Sequence, residues 1–411
     1  MYLSKLLLRT YKNISSDEKS INAQLLIRGG FVDQLMSWIY TLLPLGMRVM
    51  KKIENIIREE MNSVWANEIY MPALQPKSNW EQTGRWEWMD NLFKFTSFYS
   101  KIEYALWPTH EEVVTPLIKK FIESYKDLPQ VVYQFQSKFR DEKRAKSGVL
   151  RWREFLMKDC YSFHANQMDL DTYYETQKEA YIRIFNKIGI GDKTFLTYAS
   201  GGTFSKYSHE FQTVCEAGED TIYYLEEKNI AFNDEIIHDS EVRKEFDLDN
   251  QNLTVLKTVE VGNIFKLNTK FSEPFHVVYK DNTGEENIVY MWCYGIWVGR
   301  LMGTVIEAYH DEKWIIWPEA IAPFKYVIIG LWDEWSEQAK KVYKSLLDKW
   351  VEVALDDRDQ SFWFKMKDAD LIWYPYKIIV SDKTLAQGEN IVEVVARSSG
   401  NTQFIDFTTL S

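Results

Sequence analysis

The chain has 411 residues, 45% hydrophobic and 15% aromatic, with a formal net charge of −11. That length has room for two to three packed domains, and the acidic balance excludes a protein that coats nucleic acid through a general positive field, because neutralisation of phosphates by Lys and Arg drives such binding. No run of 18 apolar residues appears, and Lys12 and the polar residues 13–20 follow a short leucine run, so neither a membrane span nor a cleaved signal is read and a cytoplasmic location is expected.

In residues 45–64 the apolar side chains Met50, Ile53, Ile57, Met61 and Val64 recur every three or four positions, which predicts an amphipathic helix with Lys51, Lys52, Glu54, Arg58 and Glu59 on its outer face. The string EIYMP then reads as a short strand stopped by Pro72, which cannot donate to a sheet ladder. Helical periodicity returns over 166–188 and 333–348, and 288–291, 326–329, 351–355 and 376–380 read as strands. The last three of these alternate with helices, as in a small α/β unit with a partly parallel sheet, and a boundary is expected near Pro323. Residues 220–258 are polar and poorly patterned. The cysteines Cys160, Cys215 and Cys293 are far apart, with no Cys-x-x-Cys and no paired histidine spacing, which indicates no disulfide framework and no zinc site.

The segment FRDEKRAKSGVLRWREFLMKDCYSFH, residues 139–164, carries the chemistry. Arg140 offers a planar fork that takes a carboxylate or phosphate bidentately, Glu142 can accept an adenine amino group, and Phe155 offers a flat face for stacking. The only dense basic stretch, 138–158, holds Lys138, Arg140, Lys143, Arg144, Lys146, Arg151, Arg153 and Lys158, so any RNA contact is expected to be local.

This segment resembles motif 2 of the class II aminoacyl-tRNA synthetases, in detail the bacterial-type prolyl-tRNA synthetases. The resemblance runs through MYLSKLLLRT, LPLGMRVMKKIENIIREEMN with EIYMPALQP (motif 1), PTHEEVVT, SHEFQT, VGNIFKLNTKFS, CYGIWVGRLMG (motif 3) and IIWPEAIAPF. It implies an α+β fold: a class II catalytic domain over 1–322, with an antiparallel sheet flanked by helices and motifs near 45–76, 138–164 and 291–307, then an α/β anticodon-binding domain over 323–411. It implies activation of L-proline by ATP with Mg²⁺ to prolyl-adenylate, transfer to tRNA(Pro), and a homodimer built on motif 1, with no zinc and no membrane partner.

Carried over by position, Thr109 and Glu111 receive the proline amino group. Arg140 holds the proline carboxylate and the α-phosphate, Glu142 and Phe155 the adenine, and Arg151 the distal phosphates. Arg300, at the first turn of the motif 3 helix, joins Arg140 as a catalytic residue, where a helix N-terminus also favours phosphate. His209 and Glu210 resemble positions near the prolyl pocket, and Thr269 one near the nucleotide. Lys266 stands where many relatives carry an uncharged polar side chain. Many bacterial members hold a large editing domain between motifs 2 and 3; only 220–258 stands there, so no hydrolysis of alanyl-tRNA(Pro) in cis is expected, and a separate trans-editing protein is the implied partner.

Tryptophan is the second informative feature. Trp38, Trp65, Trp107, Trp152, Trp292, Trp297, Trp314, Trp350, Trp363 and Trp373 occupy positions where the family strings carry glycine, whereas Trp80, Trp86 and Trp317 match family tryptophans and Trp88, Trp332 and Trp335 are assigned to neither group. With glycine at the ten positions the chain would have 28 glycines in place of 18, about 7% of 411 and ordinary usage. A UGA codon read as glycine by the source organism and as tryptophan in the translation accounts for all ten. Trp297 and Trp107 are expected to crowd the nucleotide and amino-acid pockets. If the indoles are genuine, the competing reading is a catalytically dead synthetase-like RNA-binding or regulatory protein, against which the joint presence of Arg140, Glu142, Arg151 and Arg300 speaks.

Overall fold

A computed structural model describes residues 1–13, 18–142, 147–201, 207–249, 251–311, 314–330 and 336–411. Lys143, Arg144 and Lys146 of the basic stretch, together with Trp332 and Trp335, lie outside the described residues. Contacts divide the chain into one unit of Ile53–Thr304 and another of Met1–Lys52 with Val305–Ser411.

The Ile53–Thr304 unit is built on a nine-stranded sheet. Its strands are β1 (Asn67–Glu68), β2 (Gln130–Phe139), β3 (Glu154–His164), β4 (Thr194–Ser200), β5 (Tyr207–Val214), β6 (Asp220–Leu225), β7 (Ile230–Asn233), β8 (Thr254–Asn268) and β9 (Tyr290–Trp297), in the order β5-β4-β7-β6-β8-β9-β3-β2-β1. The central pairs β8–β9, β9–β3 and β3–β2 are antiparallel. Helix α1 (Pro44–Ser63) runs through the predicted apolar stripe, and Ile53, Ile57, Met61 and the following Val64 are buried. The predicted EIYMP strand is shorter and earlier than expected. After β1, side chains take over the ladder: Met71 N donates to Gln134 Oε1 at 2.9 Å, and Gln136 Nε2 donates to Met71 O at 2.8 Å.

Helix α2 (Glu111–Ile118) packs Val114 and Ile118 into a core with Tyr161, Phe163, Leu267 and Met291. Helix α3 (Gln167–Ile188) is started by Asn166, whose side chain accepts from Asp169 N at 3.0 Å, and stopped by Gly189 at φ 94°. It lies on one face of the sheet, where Tyr181 and Phe185 pack on Phe211 at centroid distances of 5.1 and 5.2 Å. Gly262 permits that approach: a Cβ there would sit 3.0 Å from Tyr181. The expected strand at 288–291 is split between a short hairpin, Val278–Lys280 with Glu286–Ile288, and the start of β9. Helix α4 (Val298–Ala308) follows β9 directly.

Residues 220–253, unpatterned in sequence, supply β6 and β7 and the short helices Asp234–Ile237 and Ser240–Phe246. They bury Leu225, Phe232, Ile236, Ile237, Val242 and Leu248 in a small core of their own. Strand β6 pairs with β8, and β7 pairs with β4. The segment is thus woven into the sheet.

In the second unit β10 (Tyr326–Gly330), β11 (Val353–Asp356), β12 (Tyr376–Val380), β13 (Ile391–Ala396) and β14 (Thr402–Asp406) form a sheet ordered β11-β10-β12-β13-β14. The first three strands are parallel, joined through α5 (Ser336–Asp348) and α6 (Phe362–Ile372), and the last two are antiparallel. Residues 1–52, assigned with the catalytic residues in the sequence reading, belong to this unit by contact. The Met1 ammonium donates to Val353 O at 2.9 Å, Leu355 N donates to Met1 O at 2.8 Å, and Thr10 Oγ1 donates to Asp368 Oδ1 at 2.7 Å.

Candidate active site

Strand register assembles the site. Glu210 on β5 pairs with Asn263 on β8, Asn263 with Gly295 on β9, Gly295 with Asp159 on β3, and Asp159 with Gln134 on β2. The five therefore form one row across five strands on the face opposite α3, and a slip of one residue would turn any of them to the wrong side. Over this row lies a cavity of about 360 Å³ whose walls include Thr109, Glu111, Arg140, Glu210, Glu260 and Arg300.

At one end Thr109 donates to the Glu111 carboxylate. Arg85 stands behind them, 2.8 Å from Glu112 and 3.6 Å from Glu111, with all three side chains buried. Glu111 and Glu112 occupy the first turn of α2, where the helix dipole favours anions. Burial still pushes the Glu112 carboxyl up to about 7, against the pull of Arg85. The floor is a buried polar cluster: Lys138 lies 2.7 Å from Asp159 and contacts His110 Nδ1, and Gln134 Nε2 donates to Asp159 at 3.0 Å. Burial pulls both Lys138 and His110 below their ordinary values, with the Lys138 charge adding to the effect on His110.

At the other end Arg300, in the first turn of α4, donates from Nε to Leu150 O at 3.0 Å and from Nη1 to Glu260 O at 2.8 Å. Gly303, one turn on, lets α4 approach the turn at 148–150, since a Cβ there would meet Val149 at 2.7 Å and Leu150 at 2.9 Å. Arg151 pairs with Glu142 at 3.1 Å and with Glu219. It lines a smaller adjoining cavity with Glu219, Asp220, Glu260 and Arg300. Glu210 Oε2 accepts from Gln212 at 2.8 Å and from Asn233 of β7 at 3.2 Å, and Oε1 accepts from Asn263 at 3.3 Å. Burial and the neighbouring Glu260 push the Glu210 carboxyl up to about 8, despite those amide donors.

The structure brings Thr109, Glu111, Arg140, Glu210 and Arg300 to one cavity, with Arg151 in the next. Phe155 lies on β3, its ring centroid 3.7 Å from that of Trp297, with Arg140 5.3 Å above its face. His209 is not brought in. Adjacent strand residues face opposite sides, so its Nδ1 meets the Tyr174 hydroxyl of α3 at 2.6 Å, and burial pulls its imidazole down to about 4. Thr269 lies beyond the end of β8, where Oγ1 donates to Glu273 at 2.5 Å, and it is not part of the cavity wall. Lys266 lies 3.4 Å from Asp171 and above the Trp292 ring. Trp297 lines the cavity as expected, whereas Trp107 is buried outside it among Trp80, Trp86, Leu92 and Ala105. Sequence reading missed Arg85, Asp159, Glu260 and Asn263. Asp159 and Asn263 lay within quoted strings and Glu260 beside one, none of them singled out, and nothing local marks Arg85 as a site residue.

Residues 93–309 match the tRNA synthetase class II core domain (G, H, P, S and T), and residues 325–411 match the anticodon binding domain. The chain is 40% identical over 419 aligned positions to a proline–tRNA ligase of Wolbachia pipientis wMel, covering 97% of this chain and 96% of that one. The chain belongs to the proline–tRNA ligase family. A second member, from Ehrlichia chaffeensis, is 36% identical over 408 positions, covering 96% of this chain and 95% of the other. A third, from Caldicellulosiruptor saccharolyticus, is 32% identical and aligns over 556 positions, so a long stretch of that ligase has no counterpart here. In fold the chain is similar to the prolyl-tRNA synthetase of Giardia lamblia in complex with prolyl-adenylate, with a TM-score of 0.76 at 20% identity, covering 93% of this chain and 74% of the other. It is equally similar to that of Cryptosporidium parvum complexed with halofuginone and AMPPNP, at a TM-score of 0.76, 17% identity, and 95% and 75% coverage. The chain is an aminoacyl-tRNA ligase with a class II core.

Proposed function

We infer that the chain joins L-proline to tRNA(Pro) in two steps within the cavity over the β5–β2 row. The proline carboxylate attacks the α-phosphate of ATP, its oxygen forming the new P–O bond as pyrophosphate leaves. The terminal ribose hydroxyl of the tRNA then takes the prolyl group and AMP leaves. The reading is carried by the polarity of the site, with buried carboxylates at the Thr109–Glu111 end, suited to an ammonium, and Arg140, Arg300 and Arg151 at the other, suited to phosphates. In that assignment Glu111 and Thr109 hold the amino group, Arg140 bridges the carboxylate and α-phosphate, and Arg300 neutralises charge developing on phosphate oxygens. Phe155 stacks on the adenine, and Glu142 and Arg151, now paired with each other, separate to take the adenine amino group and the distal phosphates. Mg²⁺ enters as part of the ATP substrate. Glu260 lies 3.4 Å from Arg300, and the carboxyl of Glu210, raised by burial and by Glu260, fits a position that a positive charge relieves.

The division at residue 322/323, a homodimer built on motif 1, and a cytoplasmic location belong to the same proposal. No helix among the described residues is long and apolar enough to cross a membrane. Among the described residues no three His, Cys, Asp or Glu side chains are grouped to hold a metal ion. Hydrolysis of alanyl-tRNA(Pro) is assigned to a separate protein, because 220–253 is spent on two strands and two short helices of the catalytic sheet.

The test, made on the polypeptide with glycine at the ten tryptophan positions named above, is amino-acid-dependent ATP–pyrophosphate exchange with proline, alanine, threonine, glycine and histidine. Exchange with proline far above the others is expected. Preference for threonine, glycine or histidine assigns the chain to another class II specificity and overturns the proline reading.

A further inference from the structure

The indole of Trp297 is held on two faces. The Phe155 ring lies 3.7 Å away, centroid to centroid, at 31°, and the Arg300 guanidinium carbon lies 3.9 Å from the Trp297 ring. The side chain is buried and forms part of the cavity wall beside Arg140. A flat fused ring between an aromatic face and a guanidinium, next to arginines suited to phosphates, is the setting a purine nucleotide requires. Indole and adenine are both planar fused five- and six-membered rings, so one excludes the other.

A second set of observations concerns the backbone. Trp38, Trp65, Trp350 and Trp373 have φ of 63°, 62°, 62° and 61°, in the left-handed region that aromatic residues rarely enter. Each stands where a chain reversal requires that conformation. Trp38 ends the two-residue loop between Val32–Met36 and Ile39–Leu42, and Trp65, Trp350 and Trp373 close the C-termini of α1, α5 and α6. Trp65 and Trp350 are 88% and 94% exposed, so no packing of the indole offsets the backbone cost. Trp107 shows a third kind of misfit: its centroid lies 3.4 Å from that of His110 with planes at 45°, closer than two tilted rings normally pack.

We propose that the Trp297 indole occupies the adenine slot of this ligase, and that the working polypeptide carries glycine at 297 and at the other nine positions where the family strings have it. The inference rests on the ligase reading for the identity of the nucleotide, but its backbone half stands without it. The proposal joins what are otherwise unrelated oddities, a self-filled nucleotide slot, four left-handed tryptophans and a shortage of glycine, under one cause: a single codon read two ways.

The test has two parts. The codons at the ten positions and at Trp80, Trp86 and Trp317 are read in the source nucleic acid; UGA at the ten and UGG at the three is expected, and UGG at all thirteen overturns the proposal whatever the enzyme does. Separately, three polypeptides are made: the chain as written, a form with all ten tryptophans replaced by glycine, and a nine-glycine form that keeps Trp297 alone. Proline-dependent exchange and ATP binding are expected only in the ten-glycine form. The nine-glycine form is expected to match its unfolding profile while failing to bind ATP, which separates a blocked slot from a misfolded chain. Equal ATP binding by the nine- and ten-glycine forms overturns the assignment of the slot. A folded ten-glycine form that binds ATP but shows no exchange with any of the five amino acids counts against the ligase reading, and leaves the slot assignment supported.

Discussion

At the scale of single residues, the site balances buried charges against one another, and Glu210 shows the consequence most directly. Three amide donors face its carboxyl, yet burial and Glu260 leave it raised from 4.5 to about 8. A group that binds its proton more tightly folded than unfolded gives a folded state richer in protons between these values, so its contribution to stability falls as pH rises from about 4.5 through 8. In the ten-glycine polypeptide, Glu210→Gln, which imitates the protonated form, should flatten the decline of the urea midpoint between pH 5 and 8.5. An unchanged slope would show that Glu210 is not the group responsible. Arg300 is fixed by two backbone carbonyls as well as by Glu260, so Arg300→Ala removes a prepositioned charge. Exchange should fall by about 10²–10³, the usual cost of losing one preorganised donor to a developing oxyanion. A loss below about tenfold would assign Arg300 to structure alone.

At the scale of elements, the placement of Arg300 depends on how closely α4 meets the turn at 148–150, and Gly303 is the residue that permits the approach. Gly303→Val puts a branched side chain where even a Cβ is 2.7 Å from Val149. It should raise the KM for ATP by roughly tenfold or more by shifting the whole first turn, with less effect on the KM for proline at the far end of the cavity. Equal changes in both would place the damage elsewhere. Helix ends supply a cleaner test of backbone cost. Trp65→Gly and Trp350→Gly, made singly in the chain as written, should each stabilise by about 1 kcal/mol, because a left-handed non-glycine residue is relieved and an exposed indole leaves no cavity. Denaturant midpoints that fall in both variants would contradict the glycine assignment at these two positions.

At the scale of the whole molecule, the absence of a separate editing insertion between motifs 2 and 3 governs fidelity. A proline-sized pocket rejects the smaller alanine by only about 1–3 kcal/mol. The ten-glycine enzyme should therefore form alanyl-tRNA(Pro) measurably and leave it unhydrolysed, and rapid deacylation by this chain alone would overturn the assignment of editing to a separate protein. Much of the architecture was legible in advance: the helix of 45–64, the α/β character of the last ninety or so residues, the motif strings and their order. These follow from local periodicity and from short segments whose chemistry is self-contained, such as an arginine and an acid just past the end of β2 and an aromatic ring on β3. The inward turn of Asn263 and Glu210 with the opposite turn of His209 was not legible, because strand register, set by partners far along the chain, decides which of two neighbouring residues faces a cavity. Arg85 was not legible because it lies on no strand or helix and only the packed chain carries it to Glu111 and Glu112. The misfit of tryptophan with a glycine-bearing pattern was determined by sequence alone. That four of these residues sit in left-handed backbone and that one fills a slot between Phe155 and Arg300 was decided only in three dimensions, since φ and the distance between β3, β9 and α4 are properties of the packed chain.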